Sequence, residues 1–544
     1  MTRSPLLPLL LAAFVLPLAA CDGGGFTPSR DGGLFGDAPA PCEEGLVQCR
    51  GRESWVCEDG VLTLDATCSE EQVCALGLGC RDCQPGRPLC VDGDVHLCGE
   101  DGTSTTPDRT CEGTSFCSMG ACIDPCADAA EYGGEEGCAF VAPAGGEEAT
   151  VVNRNDADVE VVLEVDGEEV ARETLAPVSH VAITLPEAGL ATLRTTRPVT
   201  AVRQGAEDAA LWRPAHTFAE RHRVVSWPGE EESRARLVAL DTAAAQITLA
   251  AAARVGEVEA AAGETVMATL EPGAPLDLIA APGVDLTGTL VEADGPVGLF
   301  VEVRGALAPR IDPEADPEAE PTIPAPPEGA PEEMCCGATL LTQPTAMSWG
   351  TRFLATPSPA RAESWREPDL FRVVADVDVE VRTTLPAPHD TFTLEAGAAR
   401  DLPAQAAFTL EADEPVALAQ VLVAQGWLGE AREGRGGSPA LALLTPLEGA
   451  RRFVYLAGLG TLGERHARVL VPVGTLPRLD GRPFDSASCA ADGTLEMGGT
   501  AWESWTCLVA PGAHLVAADA GMLVTAFGHD GVRSYAATAG YAPF

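Results

Sequence analysis

Fifteen of the 19 cysteines of this 544-residue chain lie before residue 139, and their spacing dictates how that part can fold. After Cys21 they form two sets. Cys42, Cys49, Cys57, Cys68, Cys74 and Cys80 are separated by 6, 7, 10, 5 and 5 residues; Cys83, Cys90, Cys98, Cys111, Cys117 and Cys122 by 6, 7, 12, 5 and 4. This is a tandem duplication, repeat 1 over residues 42–80 and repeat 2 over 83–126, with Asp-Gly turns at Asp59-Gly60 and Asp101-Gly102. A unit of about 40 residues cannot bury an adequate apolar core and needs covalent staples. Six cysteines per unit imply three disulfides each, with the connectivity left open by spacing. Cys126 with Cys138, Cys335 with Cys336, and Cys489 with Cys507 complete an even set. The adjacent pair Cys335-Cys336 forms a strained vicinal bond, exchanges partners, or stays reduced. Cys80-x-x-Cys83 has zinc-knuckle spacing, but it joins the end of one repeat to the start of the next in an oxidising compartment, so disulfides are expected there.

The compartment is read from the leader. Met1-Thr2-Arg3 precedes an apolar stretch from Leu6 to Leu18, of secretory length and too short to span a bilayer. It ends Leu18-Ala19-Ala20-Cys21, a pattern that resembles the bacterial lipobox, in which the cysteine is acylated and the leader is cut before it. Residues 1–20 are thus expected to be a lipoprotein signal peptide, Cys21 the lipidation site, and 21–41 a flexible glycine-rich tether. All 35 basic residues are arginine against 81 acidic ones, a net charge of −46 that argues against nucleic acid and against an electrostatic hold on anionic lipid.

Past residue 138 short alternating apolar runs are separated by Gly, Pro, Asp and Asn, the signature of strands. Val159–Val165, Asp166-Gly167 and Glu168–Leu175 read as a hairpin, and Asp376–Arg382 as one half-buried strand with its valines on one face. Three markers recur. The first is CAFVAP from Cys138, RHRVVSWP from Arg221, GTRFLATP from Gly350 and RRFVYLAG from Arg451. The second is RPVTAV from Arg197, EADGPVGL from Glu292, EADEPVAL from Glu411 and AGMLVTAF from Ala520. The third closes three segments: ALWRP from Ala210, TLLTQP from Thr339 and ALLTP from Ala442. Four β modules follow, at 138–220, 221–349, 350–450 and 451–544, the second interrupted by an exposed, disordered Pro/Glu loop at 309–334. The proline of the second marker is expected to start a strand or lie on an edge. The fold class is all-β: tandem sandwich-like modules after a disulfide-rich stalk, with closure into one propeller-like ring the rival arrangement.

CCGATLLTQPTAMSWGTRFLAT (Cys335 to Thr356), FRVVADVDVEVRTTL (Phe371 to Leu385), EADEPVAL, and GAHLVAADAGMLVTAFGHDGVRSYAATAG (Gly512 to Gly540) together resemble the IgGFc-binding protein N-terminal domain family, with its bacterial lipoprotein members. The resemblance runs over about residues 138–544, with a first module shorter than usual. It implies surface adhesion or binding, and it supplies no catalytic residues. Asp22 resembles an inner-membrane retention signal, but the family resemblance favours the outer membrane or cell surface.

Catalytic chemistry is not legible. Gly458 to Gly463 matches G-x-G-x-x-G, but a strand ending in Pro472 follows where a nucleotide site needs a helix, so a loop between strands is expected. The histidines (96, 180, 216, 222, 389, 466, 514, 529) show no ligand-like spacing, and Asn153–Asp158 and Asp92–Asp94 read as turns rather than calcium loops. No cofactor and no metal are expected. The expectation is a non-enzymatic, lipid-anchored envelope protein that binds a protein or glycan ligand. The alternative is an exported polysaccharide-active enzyme with unidentified carboxylates.

Overall fold

Four strands of 15 to 18 residues organise most of the chain: Leu190–Gln204, Leu290–Ala306, Phe408–Leu422 and Gly512–His529. The structure is a computed structural model that describes residues 42–544 except 70–71, 114, 132–133, 206–208, 310–322, 325–336, 362–364, 429–435, 459–462, 485–486, 532, 539 and 542–544. The leader, Cys21, the tether, Cys335, Cys336 and most of the Pro/Glu segment lie outside the described residues. These form two compact units: 42–89 with 96–107, and 90–95 with 108–544, so the division falls inside the second cysteine-rich repeat.

The first unit carries a sheet of Val47–Arg50, Glu53–Glu58 and Val61–Thr67, and a hairpin of Val73–Ala75 with Gly79–Arg81. Its bonds are Cys42–Cys57, Cys49–Cys74, Cys68–Cys80 and Cys83–Cys98. In the second unit Cys90 joins Cys117, Cys111 joins Cys122, and Cys126 joins Cys138. Both repeats therefore share one connectivity: first to third, second to fifth, fourth to sixth.

The rest of the second unit is nearly all antiparallel sheet. Four sheets span Gly137–Trp212, Ala219–Thr342, Trp349–Leu443 and Arg451–Tyr541, each built on one long strand. Within the first sheet, residues 190–195 of the long strand pair with Gly137–Pro143 and Val159–Val165, whereas 200–204 pair with Glu148–Asn153 and Ala209–Trp212. The strand bends between the two layers and belongs to both, so each sheet folds into a sandwich with one shared corner. Phe140, Leu163, Leu193, Val151 and Trp212 fill the first. The hairpin at Asp166-Gly167 has both turn residues at positive φ (51° and 83°), as a two-residue turn requires.

The second marker lies on this bend, and its proline departs from expectation. Pro198, Pro296 and Pro415 are interior to the long strands rather than at a start or edge. Ladder pairing stops between residues 195 and 199, 293 and 297, and 412 and 416, so no partner asks for the missing N–H. Two residues earlier a side-chain oxygen takes over: Thr196 Oγ1 accepts from Glu160 N (3.0 Å), Asp294 Oδ1 from Ala244 N (2.7 Å) and Asp413 Oδ1 from Glu380 N (2.8 Å). The Thr-x-Pro or Asp-x-Pro at each bend is the chemistry of a strand changing layers.

Two further expectations shift. The strand expected at Asp376–Arg382 begins at Val379; 376–378 is the bend after Asp369–Ala375, and Val377 is exposed. That bend frees Asp376 to pair with Arg221 and Arg223 of the second sheet. Within the Pro/Glu segment expected to be exposed, Ile323 packs on the core and the Pro324 carbonyl accepts from Trp427 Nε1 at 3.2 Å.

The four sheets close into a ring. The short strands Ala209–Trp212, Ala338–Thr342, Ala440–Leu443 and Ser534–Thr538 each touch the next, and the last touches the first. The third sequence marker runs out of three of these inner strands. They line a cavity of about 20 Å³, room for roughly one water. Each junction buries apolar residues: Phe218 and Phe300 on the first core, Val301 with Val421, Ala440 with Phe527, and Leu211 with Val454. An arginine crosses each junction. Arg203 lies 5.8 Å from the Phe300 ring centre, Arg372 Nη1 donates to Ser226 O (2.9 Å), Arg468 Nη2 donates to Pro357 O (2.8 Å), and Arg154 lies 5.0 Å from the Tyr455 ring centre. A planar guanidinium can stack and donate at once, which an ammonium cannot.

Candidate functional site: a groove between the third and fourth sheets

The strand Glu464–Pro472 alternates. Ala467, Val469 and Val471 enter the core of the fourth sheet, while Arg468 and Leu470 turn toward the third. Leu470 meets Leu354 there. Beside it a groove opens as two adjoining cavities of about 340 and 390 Å³ that share Arg366, Arg468 and Asp492. His466 lines the second.

Arg468 is buried, and burial pulls its pKa below the ordinary guanidinium value against the opposing pull of Asp492. Its Nη1 pairs with Asp492 and lies 3.3 Å from Ser504 Oγ. Asp492 sits at a register shift between Ala491 and Gly493, a β-bulge that aims the extra residue at the arginine. Gly493, at φ 138°, supplies the backbone conformation the bulge needs.

The opposite wall comes from residues 356–361 and 365–368, held by two buried carboxylates, Glu367 and Asp369. Asp369 accepts from Ser358 N, from Ser358 Oγ (3.0 Å) and from Gln420 Nε2 (2.6 Å); complete burial nevertheless raises its pKa, since these bonds do not offset the lost hydration. Glu367 accepts from Arg361 N (2.8 Å) and Arg361 Nε (3.2 Å), and Arg361 Nη2 donates to Val423 O (2.7 Å). Arg366 donates to the Ser358 carbonyl and stands over the groove. The result is a preformed cleft with two guanidiniums and one carboxylate at its centre. An entering acidic side chain would compete with Asp492 for Arg468 and could meet Arg366 beside it.

Cys489 and Cys507 meet at this groove. They are directly opposed in a hairpin of Cys489–Met497 and Thr500–Leu508, turning at Gly498-Gly499. The Thr494–Met497 alternation carries the strand through the glycine-rich stretch. Asn153 is buried, its Nδ2 donating to the carbonyls of Ala157, Leu175 and Ala176, so this segment is a pinned turn. Gly458 and Glu464 are strand ends; the residues 459–462 between them lie outside the described residues. Two histidines hold backbone carbonyls rather than a ligand site: His216 Nε2 is 2.8 Å from Gly134 O and His222 Nε2 is 2.7 Å from Val297 O, and burial pulls the pKa of both below the ordinary value; half-buried His389 is pulled the same way by burial and by nearby Arg400. Sequence spacing missed that His466 and His529 come together, because strand register, not proximity in the chain, places them. The Asp492 bulge left no sequence signal beyond the Asp-Gly pair.

Compared with protein families, residues 208–528 match the IgGFc binding protein family. The match begins at the inner strand of the first sheet, takes in the second and third, and ends in the last long strand, so it is narrower than the sequence resemblance and leaves most of the first sheet outside. The groove lies wholly within it. No curated protein matches the chain. With more than half its length matched, the chain belongs to the IgGFc-binding protein family.

Proposed function

We propose that the protein is a non-enzymatic binding module of the bacterial cell envelope, anchored through acylated Cys21 to the outer membrane or cell surface, and that it holds a protein ligand in the groove between the third and fourth sheets. The family match carries this reading, since its description names binding and its span includes Arg366, Arg468 and Asp492. The groove supports it by presenting fixed guanidiniums that an acidic loop can engage without reorganising the wall. The net charge of −46 favours a ligand whose remaining surface is neutral or basic, with faster association at low salt. The test uses the full chain in detergent and an IgG Fc fragment as the probe, by surface plasmon resonance at two salt concentrations. Saturable binding is expected, weakened about tenfold or more by Arg366→Glu, one charge-assisted contact being worth at least that. Absence of binding, or equal binding by wild type and variant, would overturn the assignment of Fc to the groove.

A further inference from the structure

The far end of the groove brings together two imidazoles and a carboxylate. Glu464 opens the strand Glu464–Pro472 and His529 closes Gly512–His529; the register sets them directly opposite, and His466 follows two residues on along the same face. Both histidine Nε2 atoms converge on one oxygen, Glu464 Oε2, at 3.5 Å from His466 and 3.6 Å from His529. The two rings lie nearly parallel, with centroids 6.0 Å apart and planes at 24°. All three donor atoms lie within 4.8 Å of one another. His529 is buried, while Glu464 and His466 are half-buried.

We infer that Glu464, His466 and His529 form a binding site for a divalent transition metal of the zinc class. Four donors about 2.0–2.1 Å from a tetrahedral ion stand about 3.4 Å apart, close to both observed separations. The donor set decides the class. Two imidazoles with one carboxylate suit zinc, cobalt, nickel or copper, whereas magnesium and calcium select oxygen. Three protein ligands leave one position of a tetrahedron for water or a further ligand, and the cavity of about 390 Å³ that His466 lines lies beside the site. Nearby Arg468 is paired with Asp492, which limits the repulsion a bound cation meets. The cysteines at this end, Cys489 and Cys507, are bonded to each other and offer no thiolate. The site stands independently of which protein the groove holds.

The full chain, stripped with a chelator and dialysed, is titrated with zinc alone in equilibrium dialysis and with cobalt alone while visible absorption is recorded. One zinc per chain and the ligand-field bands of four-coordinate cobalt are expected. Glu464→Gln and His466→Gln, which keep side-chain size at half-buried positions, are expected to weaken zinc binding by tenfold or more and to abolish the cobalt bands, with unchanged near-ultraviolet circular dichroism showing an intact fold. A wild type that binds no zinc, or variants that retain wild-type affinity and cobalt spectrum, would overturn the site. A spectrum lost only in a variant that has also lost its fold is resolved by the other, and if both are unfolded the wild-type cobalt spectrum decides, octahedral bands counting against the site.

Discussion

The cysteine-rich unit and the ring of sheets reach a fixed shape by different physics. In the first, among its described residues, the buried apolar ones are Cys57, Cys68, Ala75, Cys83 and Cys98, while Val61, Leu64, Val73, Leu76 and Leu97 face water. Its interior is mostly sulfur, and its stability comes from restricting the unfolded chain. The sheets bury aromatic and aliphatic side chains in continuous clusters that cross every junction. Among the described residues one disulfide, Cys489–Cys507, lies wholly within them. The same chain thus carries one region that fails when covalent bonds are cut and another that fails when burial or buried charge is disturbed.

Reduction should separate the two most sharply. Reductant at neutral pH is expected to remove hydrogen-exchange protection throughout residues 42–89, while the long strands of the four sheets keep theirs. Opening Cys489–Cys507 should destabilise the fourth sheet by no more than about 3 kcal/mol, since it closes a short loop already paired as a hairpin. Loss of both regions in one cooperative step would break the comparison. Arg372→Ala attacks the ring by the other route. Arg372 stacks 4.2 Å from the centre of Trp227, donates Nε and Nη2 to the two oxygens of Asp401 at 2.7 and 2.9 Å, and pairs with Asp285 across the junction. Its removal is expected to cost about 3 kcal/mol, the low end for breaking a buried pair because Asp401 keeps contact with water. A lowered melting temperature with faster exchange in the second and third sheets, and none in residues 42–89, is the expected pattern.

The smallest effect is a pH slope. His222 is held neutral by burial, so its pKa is lower folded than unfolded. Below the unfolded value of about 6.5 the unfolded chain binds the extra proton and the fold does not, so stability falls as pH drops through that value toward the folded pKa. His222→Gln should flatten this acid limb in melts recorded from pH 8 to 5, without changing the response to reductant. An unchanged slope would remove His222 from the account.

Local chemistry was legible in the sequence and long-range register was not. The duplicated cysteine spacing showed two stapled units, and alternation at Val159–Val165 showed strand and turn, because each depends on neighbours. Pro198, Pro296 and Pro415 were misjudged because a rule for proline in a flat ladder does not apply to a strand that changes layers. Asp376 looked like the polar face of a strand, yet its partners Arg221 and Arg223 belong to another sheet. The groove depends on a bulge at Asp492, a loop fixed by Asp369 and the pairing of two distant strands, none of which leaves a periodic trace.

The inner strand Ser534–Thr538 meets Ala209–Trp212, so the ring has no free flank. In the order of synthesis this puts the first sheet in debt to the last. Val202, Ala209 and Leu211 belong to a cluster otherwise built by the fourth sheet, and that cluster forms only once the C-terminal residues have emerged from the ribosome. Until then the nascent chain carries an uncovered apolar seam. A clip or premature stop before Ser534 removes a strand at one end and exposes a surface at the other.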